Sequence, residues 1–194
     1  MLDPFDVTIQ KYTDPQKLLE NFDGSLEGCL LLDFYMPSMN GAQVLEKIKG
    51  WLPIFPVVII SAGADMPMTL AAMKSGVFHL LQKPLSEHDL IEQVGNALSW
   101  SKNIRLKNTE SLTIWSAMQK LSPREKQVLD LILEGLASRE IGVKLSISRF
   151  TADHHRANIL SKLGLPTIGA LLTQVTRAKT VFERDRLAPH IAPQ

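Results

Sequence analysis

Three side chains stand where they could act together on one anionic group. Asp33, Ser61 and Lys83 each close an apolar, strand-like run: Gly28 to Leu32, Pro56 to Ile60, and His79 to Gln82. If these runs are strands of an open parallel sheet, the three meet at its carboxyl edge, where such sheets bind ligands. A carboxylate there can act as a nucleophile. A lysine can neutralise anionic charge, and a serine hydroxyl can donate to an anionic oxygen. The plainer alternative is that Asp33 only caps the turn after its strand.

A second constellation lies near the C-terminus. A helix over 149–163 would turn Ile159, Leu160 and Leu163 inward and Arg149, Asp153, His154, Arg156 and Lys162 outward. A shorter helix capped by Ser138, with Ile141 and Leu145 inward, precedes it across the turn Ser146-Ile147-Ser148. Two short helices joined by a tight turn, the second basic and polar, can enter a major groove. On charge alone, a purely structural bundle explains the same residues. His154 and His155 make a poor metal pair, because adjacent helical residues diverge by about 100° and no third ligand is evident. Ser122, Asp153 and His155 make no triad, since residues two apart on a helix do not face each other. With no P-loop and no GxGxxG, no catalytic site apart from the Asp33 crevice is expected.

The elements that must position these groups alternate in the front half. Val7 and Ile9 read as a half-buried strand, and Asp14-Pro15 as the cap and first residue of a short helix. Asn40-Gly41 breaks the chain before a stripe of Val44, Leu45 and Ile48. Met66 to Lys74 reads as helix ended by Gly76, and Ser86 caps a helix with Leu90, Ile91, Val94 and Leu98 inward. Strands alternating with helices predict a parallel sheet covered on both faces. From Leu121 onward only short helices are predicted. Ser122-Pro123-Arg124-Glu125 is a capping box opening a helix with Val128, Leu129, Ile132 and Leu133 inward.

Charge divides the chain the same way. Residues 1–114 carry 9 Lys/Arg and 13 Asp/Glu, whereas residues 115–194 carry 12 and 7. The basic back suits a polyanion. One cysteine, Cys29, excludes an intrachain disulfide. Acidic residues near the start argue against a signal peptide, and no apolar run is long enough to span a bilayer. A cytoplasmic protein without membrane association is expected.

Two resemblances sharpen this reading. Leu121-Ser-Pro-Arg-Glu-Lys-Gln-Val-Leu, Glu134-Gly-Leu-Ala-Ser-Arg-Glu-Ile and Ser148 to Gly164 resemble a LuxR-type helix-turn-helix. That implies double-stranded DNA as partner, a recognition helix at 149–163, and a fourth helix near 167–178 for homodimerisation. It implies DNA contacts from Thr151, His155, Arg156, Asn158 and Lys162, with Arg149, Asp153 and His154 beside them. Asp153 stands where a base is frequent, and Ala152 where valine is usual. Leu32-Asp33-Phe-Tyr-Met-Pro37, Val58 to Ala62 and Gln82-Lys83-Pro84 resemble the receiver domain of two-component response regulators, and residues 65–76 are similar to its FixJ branch. The whole chain therefore resembles the FixJ/NarL family.

This implies a flavodoxin-like α/β receiver followed by an all-α helix-turn-helix domain of four short helices. The expected divisions are a receiver at 1–98, a helical linker at 99–120, the DNA-binding domain at 121–180 and a tail at 181–194. Asp33 would be the phosphoacceptor, served by a sensor histidine kinase or a small phosphodonor, with Ser61 and Lys83 on the phosphoryl group and Lys83-Pro84 cis. The family uses Mg²⁺, with Asp33 among its ligands. Here the family's opening strand, its acidic pair and most of its first helix have no counterpart, and Leu80 stands at the aromatic switch position. The expected consequence is an Asp33 that stays ionised without competence for phosphoryl transfer, and DNA binding independent of it. The alternative is a partner-binding or dominant-negative module that pairs with a full-length regulator or kinase.

Overall fold

The computed structural model describes residues 6–62 and 76–184. The chain forms two compact units, divided after Lys107. In the first, Asp14 caps helix α1 (Pro15–Asn21) by accepting from the Gln16 amide, with Pro15 at the first helical position. Strand β1 (Leu30–Asp33) leads to α2 (Gly41–Ile48). Asn40 caps α2 by a reciprocal pair: its side chain accepts from the Gln43 amide, and the Gln43 side chain accepts from its own. Strands β2 (Val57–Ser61) and β3 (His79–Gln82) and helix α3 (Glu87–Lys107) follow. The helix expected at 66–74 lies outside the described residues.

The three strands form a parallel sheet in the order β1-β2-β3. Leu32, Val57 and Ile59 pack with Leu18 of α1 and Val44, Leu45 and Ile48 of α2. Val58 and Leu81 pack with Leu90, Val94 and Ala97 of α3. β2 is thus buried on both faces, as its unbroken apolar run requires.

Val7 and Ile9 form no strand. They are 42% and 50% exposed, and β1 pairs with β2 alone among the described residues. Alternation describes a side chain's fit to a sheet, but a strand exists only when its backbone finds a ladder to join.

The second unit contains α4 (Thr109–Gln119), α5 (Pro123–Leu133), α6 (Ser138–Leu145), α7 (Arg149–Leu163) and α8, which spans Ile168–Arg184. The stretch expected as a partly helical linker is helical almost throughout. α3 continues to Lys107, and α4 buries Ile114, Trp115 and Met118. The capping box of Ser122 and Glu125 opens α5 as its sequence predicts. α6 differs: Ala137, not Ser138, is the cap residue, because the Glu140 carboxylate accepts from the Ala137 amide at 2.8 Å. Ser148 caps α7, and Gly164 ends it at φ 67°. α7 buries Ala152, Ile159 and Leu163 and packs against α4, α5 and α6. Leu133, Leu145 and Leu160, expected inward, are half-buried. No helix among the described residues is long and apolar enough to cross a membrane.

The α6–α7 turn is closed by the Ile147 amide donating to the Gly142 carbonyl at 2.9 Å. A Cβ on Gly142 would lie 2.8 Å from the Ile147 carbonyl oxygen, which is backbone and cannot step aside cheaply. Gly142→Ala is therefore expected to destabilise the second unit by about 1–3 kcal/mol. Gly169→Ala, whose nearest neighbour would sit at an ordinary 3.8 Å, is expected to be neutral or slightly stabilising. Urea unfolding read by hydrogen exchange of the Ile159 and Leu163 amides checks both. An unchanged Gly142→Ala protein would mean the turn has room to spare.

Candidate functional site

The carboxyl edge of the sheet brings two of its three candidates into contact. Lys83 Nζ donates to Asp33 Oδ2 at 2.6 Å, and the Tyr35 amide donates to Asp33 Oδ1 at 3.1 Å. Both side chains remain well exposed, 38% for Asp33 and 45% for Lys83. Partial burial pushes the Asp33 carboxyl up. The Lys83 hydrogen bond and charge and the Tyr35 and Phe34 amides outweigh that, and hold it below the usual carboxylate range. Ser61 is buried at the end of β2, one register step past Ile60, the partner of Asp33. Its carbonyl accepts from the Lys83 amide at 2.8 Å. The Lys83–Pro84 peptide is cis.

Mg²⁺ needs several oxygen ligands in near-octahedral array. The described crevice offers the Asp33 carboxylate, whose oxygens already hold an ammonium and an amide. No group of three or more His, Cys, Asp or Glu comes together among the described residues. These residues do not fit a Mg²⁺ site.

The helical unit presents the second candidate surface. Arg149, Asp153 and His154 are exposed, and Arg149 Nε lies 3.6 Å from Asp153 Oδ2. Thr151, His155 and Asn158 are half-buried. The Thr151 amide donates to Ser148 Oγ at 3.0 Å, which fixes the first turn of α7. Arg156 is not outward as expected. It stands three residues before the buried Ile159, on the same side of the helix, and its Nη1 donates to the Leu136 carbonyl at 3.2 Å.

Lys162 keeps its stem at the surface but spends its ammonium internally. Nζ donates to Glu125 Oε2 at 2.7 Å, and the same oxygen accepts from the Ser122 amide at 2.8 Å. The Glu125 side chain is only 5% exposed. The Lys162 hydrogen bond leads the effects that pull its pKa down to about 2, with the Ser122 amide and hydroxyl adding to it against burial. A third tie runs from Arg124 Nη2 to the Leu145 carbonyl at 2.7 Å.

The sequence marks Glu125 only as part of a capping box and carries no local sign of its partner, 37 residues away. Nor does it single out Gly142 or Phe150, which is 82% exposed. Phe150 stands two residues before the buried Ala152, a spacing that already puts it on the far side of the helix.

The linkage has a definite sign. Because folding depresses the Glu125 pKa from 4.5 to about 2, the pair stabilises the folded unit above pH 4.5, and that stability fades as pH falls towards 2. Stability of the second unit, read as urea midpoints between pH 5.5 and 2.5, should fall less steeply in Glu125→Gln than in the parent. Lys162→Met leaves a buried carboxylate unpaired and should lower the midpoint most near neutral pH. Parallel pH curves for all three proteins would contradict the role of the pair.

Residues 1–95 match the response regulator receiver domain family, and residues 119–173 match the luxR family of bacterial regulatory proteins. The chain is 31% identical to the transcriptional regulatory protein TdiR of Thauera aromatica, over 93% of its own length and 79% of TdiR. It is 28% identical to the transcriptional regulatory protein FixJ of Bradyrhizobium diazoefficiens, over 92% of its length and 87% of FixJ. Among solved structures, the response regulator StyR aligns with 31% identity and a TM-score of 0.47, over 86% of this chain and 84% of StyR.

Proposed function

The chain belongs to the two-component response regulators that join a receiver domain to a LuxR-type DNA-binding domain, and we propose that it regulates transcription by inserting α7 into the major groove without needing Asp33 to be phosphorylated. The observation that carries the first part is the outward side of α7, exposed along Arg149, Asp153 and His154 while its other side is packed on α4 to α6. Helix-turn-helix proteins dock in this way. Thr151, His155 and Asn158 flank that side and serve as further contacts. Lys162 and Arg156 each spend one internal donor, so a phosphate takes one of those that remain. Homodimers would read half-sites about one helical turn apart.

The second part rests on the engaged Asp33. Its carboxylate is paired with Lys83, and no group of three or more His, Cys, Asp or Glu that could hold a divalent ion comes together among the described residues. Such a group stays an ionised surface partner of Lys83 rather than a poised nucleophile. We assign the domains as receiver to residue 98, helical connection to 120 and DNA-binding domain to 180, acting in the cytoplasm. β1 favours a second reading. It ends the sheet among the described residues, so its outer edge could pair with a full-length regulator or kinase.

Salt and phosphodonor separate these readings. With roughly four to six phosphate contacts, log affinity should fall against log salt with a slope of about −4 to −5. Acetyl phosphate should leave affinity unchanged, and Asp33→Ala should bind as the parent does. A large gain on acetyl phosphate, abolished in Asp33→Ala, would defeat phosphorylation independence. Failure to bind any duplex at low salt, with heterodimers forming instead, would favour the partner-binding reading.

A further inference from the structure

Phe150 is the most exposed large apolar side chain among the described residues, at 82%, and it occupies the second position of α7. The fold does not use the ring: the buried side of α7 is Ala152, Ile159 and Leu163. Counting about 100° per residue, Phe150 shares the opposite stripe with Asp153, His154 and Ala157, all exposed. Its backbone is not loose. Ser148 caps the turn, and its Oγ lies 2.8 Å from Thr151 Oγ1. The first turn of α7 therefore holds a rigid ring out into water, between a cation at Arg149 and a polar stripe.

That placement has one good chemical partner. The N-terminal residues of a recognition helix reach base edges. In the major groove the apolar feature among those edges is the thymine C5-methyl, for which phenylalanine is a suitable contact. A protein partner fits less well, because a stable interface needs a continuous patch with an apolar centre, and the neighbours of Phe150 on α7 are Arg149, Asp153 and His154.

We propose that Phe150 is a specificity-determining residue that reads a thymine methyl group in the major groove of each half-site. The inference rests on the reading of α7 as the DNA-contacting helix. It adds that a hydrophobic contact at the start of α7 sets part of the base preference.

The test removes single methyl groups. The full chain selects preferred sequences from a pool of duplexes with a randomised centre, and each selected thymine is then replaced by uracil, which lacks only the C5-methyl. One thymine per half-site should stand out. Replacing it should weaken binding by roughly fourfold, the value of one buried methylene-sized group. In Phe150→Ala the same replacement should change nothing, and the selected sequences should lose that thymine preference. Light scattering follows the oligomeric state of each protein. An unaltered preference and uracil cost in Phe150→Ala overturns the proposal. So does a change of mass in Phe150→Ala with base preference intact, which would assign the ring to a protein contact. Failure of the parent chain to bind any duplex overturns the DNA-binding reading itself, a result distinct from the other two.

Discussion

Glu125 is almost withdrawn from water and yet stays ionised, and the geometry of the helical unit follows from how that is achieved. Its carboxylate takes the Ser122 amide at the start of α5 and the Lys162 ammonium from the last turn of α7. Two helices distant in sequence are thereby fixed end to end through one oxygen. Only the carboxylate is buried, while the Lys162 side chain is 47% exposed, so the pair is a weak source of net stability: water screens one partner and desolvation of the other offsets the attraction. Its value is orientational. Any tilt of α7 that pulled Lys162 away would strand a charge in a site that cannot solvate it. Arg124 to Leu145 ties α5 to the end of α6, and Arg156 to Leu136 ties α7 to the connection between α5 and α6.

Asp33 and Lys83 show the same chemistry with a different outcome. Their contact, 2.6 Å, is as short as that of Lys162 with Glu125, but here the carboxylate too is more than a third exposed. Water and salt screen such a pair, and its contribution to stability is small. What it does is occupy the crevice. The sheet delivers the carboxylate and the ammonium to one place because the register of β1, β2 and β3 aligns their carboxyl ends. Position is thus supplied by the apolar core, and the electrostatic state of the crevice by two groups at its rim.

Much of this was legible in the residues. The unbroken, β-branched run Val57 to Ile60 reads as a strand covered on both sides and is one, and Asp14-Pro15, Ser122-Pro123 and Gly164 marked helix ends by backbone chemistry that acts locally. Where the reading failed, the missing information was not local. Val7 and Ile9 alternate correctly but lack a ladder. Ser138 looked like a cap, yet Glu140 could serve the preceding Ala137 amide just as well. Arg156 looked like a groove-facing cation because it is charged, although three residues later Ile159 marks its side of the helix as the packed one. For Lys162 no periodicity could reveal a partner on α5, since a long side chain chooses its contact in three dimensions.

The use of cations as struts bears on how such a surface can discriminate between sequences. Lys162 is offset by Glu125 and Arg149 by Asp153, whereas Arg124 and Arg156 are bonded to neutral carbonyls and keep their charge, so much of the long-range pull on a polyanion falls to these two struts. Attraction to phosphates carries no sequence information in any case. Discrimination must come from groups whose position is certain when the helix arrives, and the struts supply that certainty by removing the freedom of α7 to roll. A rigid helix can then present short or stiff side chains, a ring at 150 and an imidazole at 154, which lose little entropy on contact. Flexible lysines on a mobile helix would bind many duplexes about equally. Stiff groups on a fixed helix turn small differences at base edges into differences in affinity.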